Sequence, residues 1–423
     1  MSKFMASVNI YVFADWSGLN GPLFIGTLRV ESIRGNEVFS FEYDDKWLRS
    51  DQLFVLDPDL NYYSGPQYLQ DDKPNFGLFL DSSPDRWGRV LMRRREAFLA
   101  RMENRAQKNL MQSDYLFGAY DEHRMGALRF KESLDGPFLN DNREMAAPPW
   151  TSLRELEYAS LQLEKEDSVE DPDYLKWLNL LIAPGSSLGG ARPKASVLDK
   201  HSHLWIAKFP SQKDDVDVGG WEMVVHELAV SSGINMPEAT VQKFSGDQYT
   251  YLSKRFDRQT GNQRIHFASA MTMLGRNDGD NYSDGLSYLD IAGFIMQFGD
   301  KNQVKVDLQE LWKRIVFNIC VKNTDDHLRN HGFLLGKYGW KLSPAYDINP
   351  VPTGTGLTLN VTDEDNSLNT ELALEVAEFF RFDTPEAKET IQMIKKVVKG
   401  WHKIAARYGL SKREQDLMSA AFE

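Results

Sequence analysis

The run Asn323-Thr-Asp-Asp-His-Leu-Arg-Asn330, with Asp347 seventeen residues further on in Pro344-Ala-Tyr-Asp-Ile348, decides how this chain is read. It sets one carboxylate, Asp325, five residues before a carboxamide, Asn330, and a second carboxylate downstream. Phosphoryl-transfer sites of the protein-kinase type use this order. The first Asp accepts the proton of the attacking hydroxyl, and the Asn and the later Asp hold magnesium against the phosphates. Magnesium takes hard oxygen donors in a near-octahedral shell, so one amide oxygen, one carboxylate and phosphate oxygens suit it. Spacing alone leaves a second reading open, a polar turn built from Asp and Asn.

Upstream, Leu308, Leu311, Trp312, Ile315, Val316 and Ile319 fall on one face of a helix predicted from Asp307. That helix delivers the chain directly into the loop, a rigid support for reacting groups. A site of this kind also needs a strand lysine to meet nucleotide phosphates. In His203-Leu-Trp-Ile-Ala-Lys-Phe-Pro210, alternation puts Leu204, Ile206 and Lys208 on one face. A lysine sharing a face with two aliphatics needs a counter-charge, which phosphate would supply; a lysine snorkelling to water is the other reading. Glu222 and Glu227, in a helix predicted over 221–231, are the carboxylates that could orient it. Glu222 in a first turn would also be favoured by the helix dipole alone.

Gly185-Ser-Ser-Leu-Gly-Gly-Ala-Arg-Pro-Lys194 precedes the predicted strands at 194–198 and 204–209. Glycines there let backbone N–H groups approach phosphate oxygens, although a Gly-Gly pair also makes an ordinary turn. The stretch is not a Walker A loop, because Ala191 stands where the lysine is required. His201, His203 and His226 match no zinc spacing, and Ser186 and Ser187 lie in no nucleophile elbow.

At 423 residues the chain is long enough for two or three lobes. Its 42% hydrophobic and 12% aromatic content excludes a disordered chain. A net charge of −12 argues against a protein that coats nucleic acid by itself. Cys320 is the single cysteine, so no internal disulfide is possible, and its apolar neighbours make it a buried small hydrophobe. No apolar run reaches the roughly 18 residues of a membrane span, and the first residues lack a signal peptide's apolar core. The expectation is a reduced, cytoplasmic protein with no membrane contact. Strands are predicted at 8–14, 23–33, 37–43, 240–244 and 250–256, and helices at 89–105, from Thr151, at 173–182 and at 388–407. Beyond about residue 267 the chain reads as mostly helical. Pro148-Pro149 marks a boundary, giving parts 1–148, 149–268 and 269–423.

In combination, Ser187-Leu-Gly-Gly-Ala-Arg-Pro-Lys194, Ala207-Lys-Phe-Pro210, Lys254-Arg-Phe-Asp-Arg258, the 323–330 loop and Pro344-Ala-Tyr-Asp-Ile348 resemble the HipA family. Leu80-Asp-Ser-Ser-Pro-Asp-Arg-Trp-Gly88 and Arg124-Met-Gly-Ala-Leu-Arg-Phe130 extend the resemblance toward the N-terminus. It implies an α+β fold of two-lobed, protein-kinase-like type, with a mixed α/β N-terminal part, an extra leading subdomain and an all-α C-terminal lobe. It also implies a serine/threonine kinase toxin of a bacterial type II toxin–antitoxin module, using ATP and Mg2+ and phosphorylating a translation component such as an aminoacyl-tRNA synthetase. By resemblance Asp325 is the catalytic base, His327 shapes its loop, and Asn330 and Asp347 bind magnesium. Lys208 meets the ATP phosphates, Gly189, Gly190, Ala191 and Lys194 belong to the phosphate loop, and His266-Phe267 falls where adenine binds. Ser187 corresponds to an autophosphorylated serine; a phosphate there, beside a loop built for phosphates, would be self-inactivating. The implied partner is a small helix-turn-helix antitoxin, HipB-like, through which DNA would be contacted indirectly. Arg192-Pro193 and Lys254 depart from common family patterns. Two rival readings are a kinase-like co-repressor that needs no ATP turnover and a kinase for a small molecule.

Overall fold

The computed structural model describes residues 7–69, 73–141, 147–165, 167–182, 190, 192–259, 261 and 263–422. They form two compact units, Met1–Ala207 with Asp257–Ala268, and Lys208–Phe256 with Ser269–Glu423.

In the first unit, strands β1 (Ser7–Ala14), β2 (Leu23–Ile33), β3 (Asn36–Tyr43), β4 (Gln67–Tyr68) and β5 (Leu128–Lys131) make one antiparallel sheet. Its order is β4-β3-β2-β1-β5. Alternation explains the buried face: Ile10, Val12, Leu28, Val30, Phe39 and Phe41 are all in the core. The β2–β3 hairpin closes with Ile33 opposite Asn36, leaving Arg34-Gly35 as a two-residue turn. Both turn residues have positive φ, 53° and 88°, the conformation whose twist matches that of paired strands. Helix α1 (Arg86–Met102) begins earlier than the predicted Arg89, because Asp85 caps it by accepting from the Gly88 N–H at 2.8 Å.

Two motifs of the family resemblance are structural in this unit. The buried Arg124 guanidinium donates to the carbonyls of Ser82, Leu116 and Ala119. Asp257 Oδ2 accepts from the Gly126 N–H at 2.9 Å, while Arg258 donates to the carbonyls of Glu122, Arg124 and Gly126. Gly126 is required there: φ is +73°, and a Cβ would lie 2.9 Å from the Phe267 nitrogen. Helices α2 (Leu153–Leu163) and α3 (Tyr174–Ile182) follow, and then strands β6 (Lys194–Leu198) and β7 (Leu204–Lys208). Thr151 does not cap α2; a single 3-10 turn, Trp150–Ser152, leads into it instead.

The second unit contains helix α4 (Val218–Ser231) and the antiparallel pair β8 (Ala239–Gln242) and β9 (Thr250–Lys254). Beyond β10 (Phe267–Ser269), of which only Ser269 belongs to this unit, comes a largely helical remainder that includes α5 (Tyr288–Phe298) and α6 (Val304–Cys320). One hairpin, β11 (Gly332–Gly336) with β12 (Gly339–Leu342), interrupts the helices directly after the 323–330 loop. The basic stretch 388–407 is not one helix. It divides into α7 (Thr384–Val398) and α8 (Trp401–Arg407), because the chain turns at Lys399-Gly400 and brings Trp401 to 5.7 Å from Trp221. Gly400 lowers the cost of ending the helix there, and both indoles are buried.

Candidate active site

Helix α6 buries Leu308, Leu311, Trp312, Ile315, Val316 and Ile319, as periodicity predicts, and the Trp312 indole also donates to the Ala373 carbonyl at 2.7 Å. Cys320 is buried at its end, and burial pushes the thiol up to about 11. After Lys322, which adopts φ 46°, the chain enters the loop with Asn323 fully buried.

The adjacent acids then separate. Asp325 is exposed, whereas Asp326 is buried. Asp326 Oδ2 accepts from Tyr288 Oη at 2.7 Å and Asn318 Nδ2 at 2.7 Å, with His331 Nε2 at 2.8 Å. Burial by itself would raise the pKa of Asp326, but His331 and the converging donors outweigh it and hold the group below the ordinary carboxylate value. The loop is wound tightly around the Asp325 carbonyl, which accepts from the His327 N–H at 3.0 Å and from Asn330 Nδ2 at 2.9 Å. With its nitrogen engaged, the Asn330 carboxamide is left with its oxygen as the hard donor. His327 closes the turn a second time, accepting at its carbonyl from the Asn330 N–H at 2.8 Å.

Lys208, at the end of β7, lies between two carboxylates. Its Nζ is 2.5 Å from Glu222 Oε1 and 2.6 Å from Asp347 Oδ1. Burial opposes the charge, but Asp347 and Glu222 prevail and raise the ammonium well above the ordinary lysine value. Of the two carboxylates on α4, Glu222 is therefore the partner; Glu227 binds Arg407 and the Tyr408 hydroxyl. Glu222 sits beyond the first turn, since α4 starts at Val218 under an Asp217 cap. Asp347 adopts φ 58°, a left-handed conformation that Asp tolerates better than most residues.

Lys208, Asp325, His327, Asn330 and Asp347 thus all belong to the second unit. Lys194, His266 and Phe267 belong to the first. Lys194 is fully buried, with Nζ 2.8 Å from both Asp85 Oδ2 and the Gly190 carbonyl. His266 is buried with its ring stacked on Trp16 at 5.1 Å, and burial pulls its pKa down to about 3. Phe267 is buried in β10. Ser186, Ser187, Gly189 and Ala191 lie outside the described residues. The departure at Lys254 is met on the surface by Glu238, 3.4 Å away. His203 lies beside Asp199 with its ring 6.0 Å from that of His201, and His226 Nε2 is 2.8 Å from the Pro237 carbonyl. Among the described residues no group of three or more His, Cys, Asp or Glu side chains is placed to hold a metal ion.

A model of the HipA-like C-terminal domain matches residues 186–401. The chain belongs to the HipA-like family. A Haemophilus influenzae protein described as a "Putative kinase" is 27% identical over 242 residues, covering 51% of this chain and 69% of its relative. HipA of Shewanella oneidensis MR-1, solved with HipB and its operator DNA, superposes with a TM-score of 0.67 at 16% identity, covering 97% of this chain and 94% of that one. The mixed α+β architecture is therefore a HipA-like fold. No helix among the described residues of this HipA-like protein is long and apolar enough to cross a membrane.

Sequence reasoning missed the residues beneath the loop: Tyr288, Asn318, Asn323, Asp326, His331 and Asn349. One signal was legible. Asn318 interrupts the apolar sequence of α6 at a position that is 1% exposed, and a buried carboxamide requires partners.

Proposed function

We propose that this HipA-like protein is an ATP- and Mg2+-dependent serine/threonine protein kinase, a toxin that phosphorylates a translation component such as an aminoacyl-tRNA synthetase. The observation that carries the reading is the doubly paired Lys208, joined to Glu222 and Asp347 in the same unit as the exposed Asp325. In this reading Asp325 accepts the proton of the attacking hydroxyl, and its carbonyl, tied to Asn330 and His327, keeps the carboxylate in place. Lys208 binds nucleotide phosphate, and Glu222 keeps the ammonium charged and aimed. Asn330 and Asp347 would hold Mg2+, which supplies neutralisation of phosphate charge when bound. The donor set fits. One carboxylate and one amide oxygen leave the remaining positions for phosphate and water, the way Mg2+ is usually held.

The parts 1–148, 149–268 and 269–423 would serve as a leading subdomain, a nucleotide-binding lobe and a catalytic lobe. His266-Phe267 would lie at adenine, and Ser187 would be the site of self-inactivation, silencing the Gly189-Gly190-Ala191 loop. A HipB-like helix-turn-helix antitoxin is the proposed partner, in line with the HipB present beside the Shewanella relative. A net charge of −12 agrees with DNA being reached through a more basic partner in the cytoplasm. That relative's presence on operator DNA also favours a second reading, a co-repressor that needs no ATP turnover.

Radiolabel transfer from γ-labelled ATP separates the two. The kinase reading expects purified wild-type protein to label itself and a protein acceptor, and Asp325→Ala to lose this by about two orders of magnitude or more while keeping its circular dichroism. Undiminished transfer by Asp325→Ala overturns the assignment; no transfer by the wild type, with antitoxin binding intact, favours the co-repressor.

A further inference from the structure

We infer that Asp326, Asn318, Asn323 and Asn349 form one directional hydrogen-bond chain that positions Asp347 for magnesium from beneath the catalytic loop. The inference rests on the proposed Mg2+-nucleotide site and adds to it residues that touch neither metal nor substrate. The chain is continuous. Asn318 Nδ2 donates to Asp326 Oδ2 at 2.7 Å, and Asn318 Oδ1 accepts from Asn323 Nδ2 at 3.1 Å. Asn323 Oδ1 accepts from the backbone N–H of Asn349 at 3.2 Å. Asn349 Nδ2 then donates, also at 3.2 Å, to Asp347 Oδ1, the oxygen that Lys208 reaches at 2.6 Å.

Each carboxamide has one donating and one accepting end, so turning one over would force its neighbour to turn too. Both ends forbid this. At one end the Asp326 carboxylate, already facing Tyr288 and His331, only accepts; at the other a backbone N–H only donates. Burial enforces the same arrangement, because Asn318, Asn323 and Asp326 are at most 3% exposed and an unmatched polar atom there would be costly. The chain therefore ties the loop carrying Asp325 and Asn330 to the left-handed turn carrying Asp347. Two surrounding contacts hold the same segments together: the Val351 N–H donates to the Lys322 carbonyl at 3.1 Å, and Thr358 Oγ1 donates to the Thr324 carbonyl at 2.7 Å. Outer partners of this kind orient a metal's ligands, and losing one weakens metal binding roughly tenfold or more.

The test is binding of a non-hydrolysable ATP analogue, followed by calorimetry across a Mg2+ titration, with urea unfolding alongside. Asn323→Leu breaks the chain at its centre, and Asn349→Ser removes its last link at a half-buried position. Both are expected to raise the Mg2+ concentration needed for half-maximal binding roughly tenfold, with affinity restored by excess Mg2+. Restoration is the outcome a merely structural role does not give, since general loosening weakens binding at every Mg2+ level. A wild-type Mg2+ response in Asn349→Ser, or a loss that excess Mg2+ does not repair, overturns the inference even if Asn323→Leu fails to fold. If the wild type itself binds no Mg2+-nucleotide, it is the kinase reading that fails.

Discussion

At the scale of single residues, Lys208 and Asp326 follow one rule in opposite senses. Each is a charge withdrawn from water that persists only because partners surround it. For Lys208 the partners are two carboxylates, so neutralising one leaves the other in place. Glu222→Gln is expected to destabilise the protein by about 1.5–3 kcal/mol, the usual worth of a hydrogen bond to a charged group. Urea denaturation checks the loss. The same variant should weaken nucleotide binding more than it alters folding, because the ammonium would then be aimed by Asp347 alone. Undiminished affinity would deny Glu222 its orienting role. The pairing itself was half legible: the sequence demanded a counter-charge for Lys208 and offered Glu222 beside Glu227. Only packing chose between them, by turning Glu227 toward Arg407 and Tyr408.

At the scale of elements, α6 matters most, because its C-terminal end leads into the 323–330 loop. Leu311 is fully buried on its inner face. Leu311→Ala should cost about 2–5 kcal/mol through lost burial and the cavity left behind. Val306, 57% exposed on the same helix, should tolerate alanine within about 0.5 kcal/mol. Equal losses from the two variants in chemical denaturation would contradict the assigned orientation of the helix. Periodicity revealed this helix because its apolar stripe is long and regular. It did not reveal the break at Lys399-Gly400, since the basic and apolar spacing continues across the turn, beyond which Trp401 packs against Trp221.

At the scale of the whole molecule, the buried His266 of the first unit is expected to make stability fall in acid. His266 is buried neutral against Trp16, and burial lowers its pKa from 6.5 to about 3. The unfolded chain takes up a proton near pH 6.5 that the folded chain refuses until about pH 3. The contribution of His266 to stability is therefore fully present above pH 6.5 and is lost as pH falls toward 3. His266→Phe keeps a ring against Trp16 and removes the proton site. Its urea-unfolding midpoint should fall less steeply than the wild type's between pH 6.5 and pH 4, and matching slopes would rule His266 out as the source.

The sequence by itself determined most of the long elements, the spacing of Asp325, Asn330 and Asp347, the strand lysine and the family, because periodicity, residue chemistry and motif order are all linear properties. The tertiary structure decided what those residues touch. It turned Asp325 outward and Asp326 inward, selected Glu222 for Lys208, and buried Lys194 against Asp85. It also joined Asn318 and Asn323 to Asn349, 26 residues beyond Asn323, beneath Asp347. The physical reason is common to all of these. A buried polar group must find its partner wherever the fold brings one within about 3 Å, and that distance is not written in residue spacing.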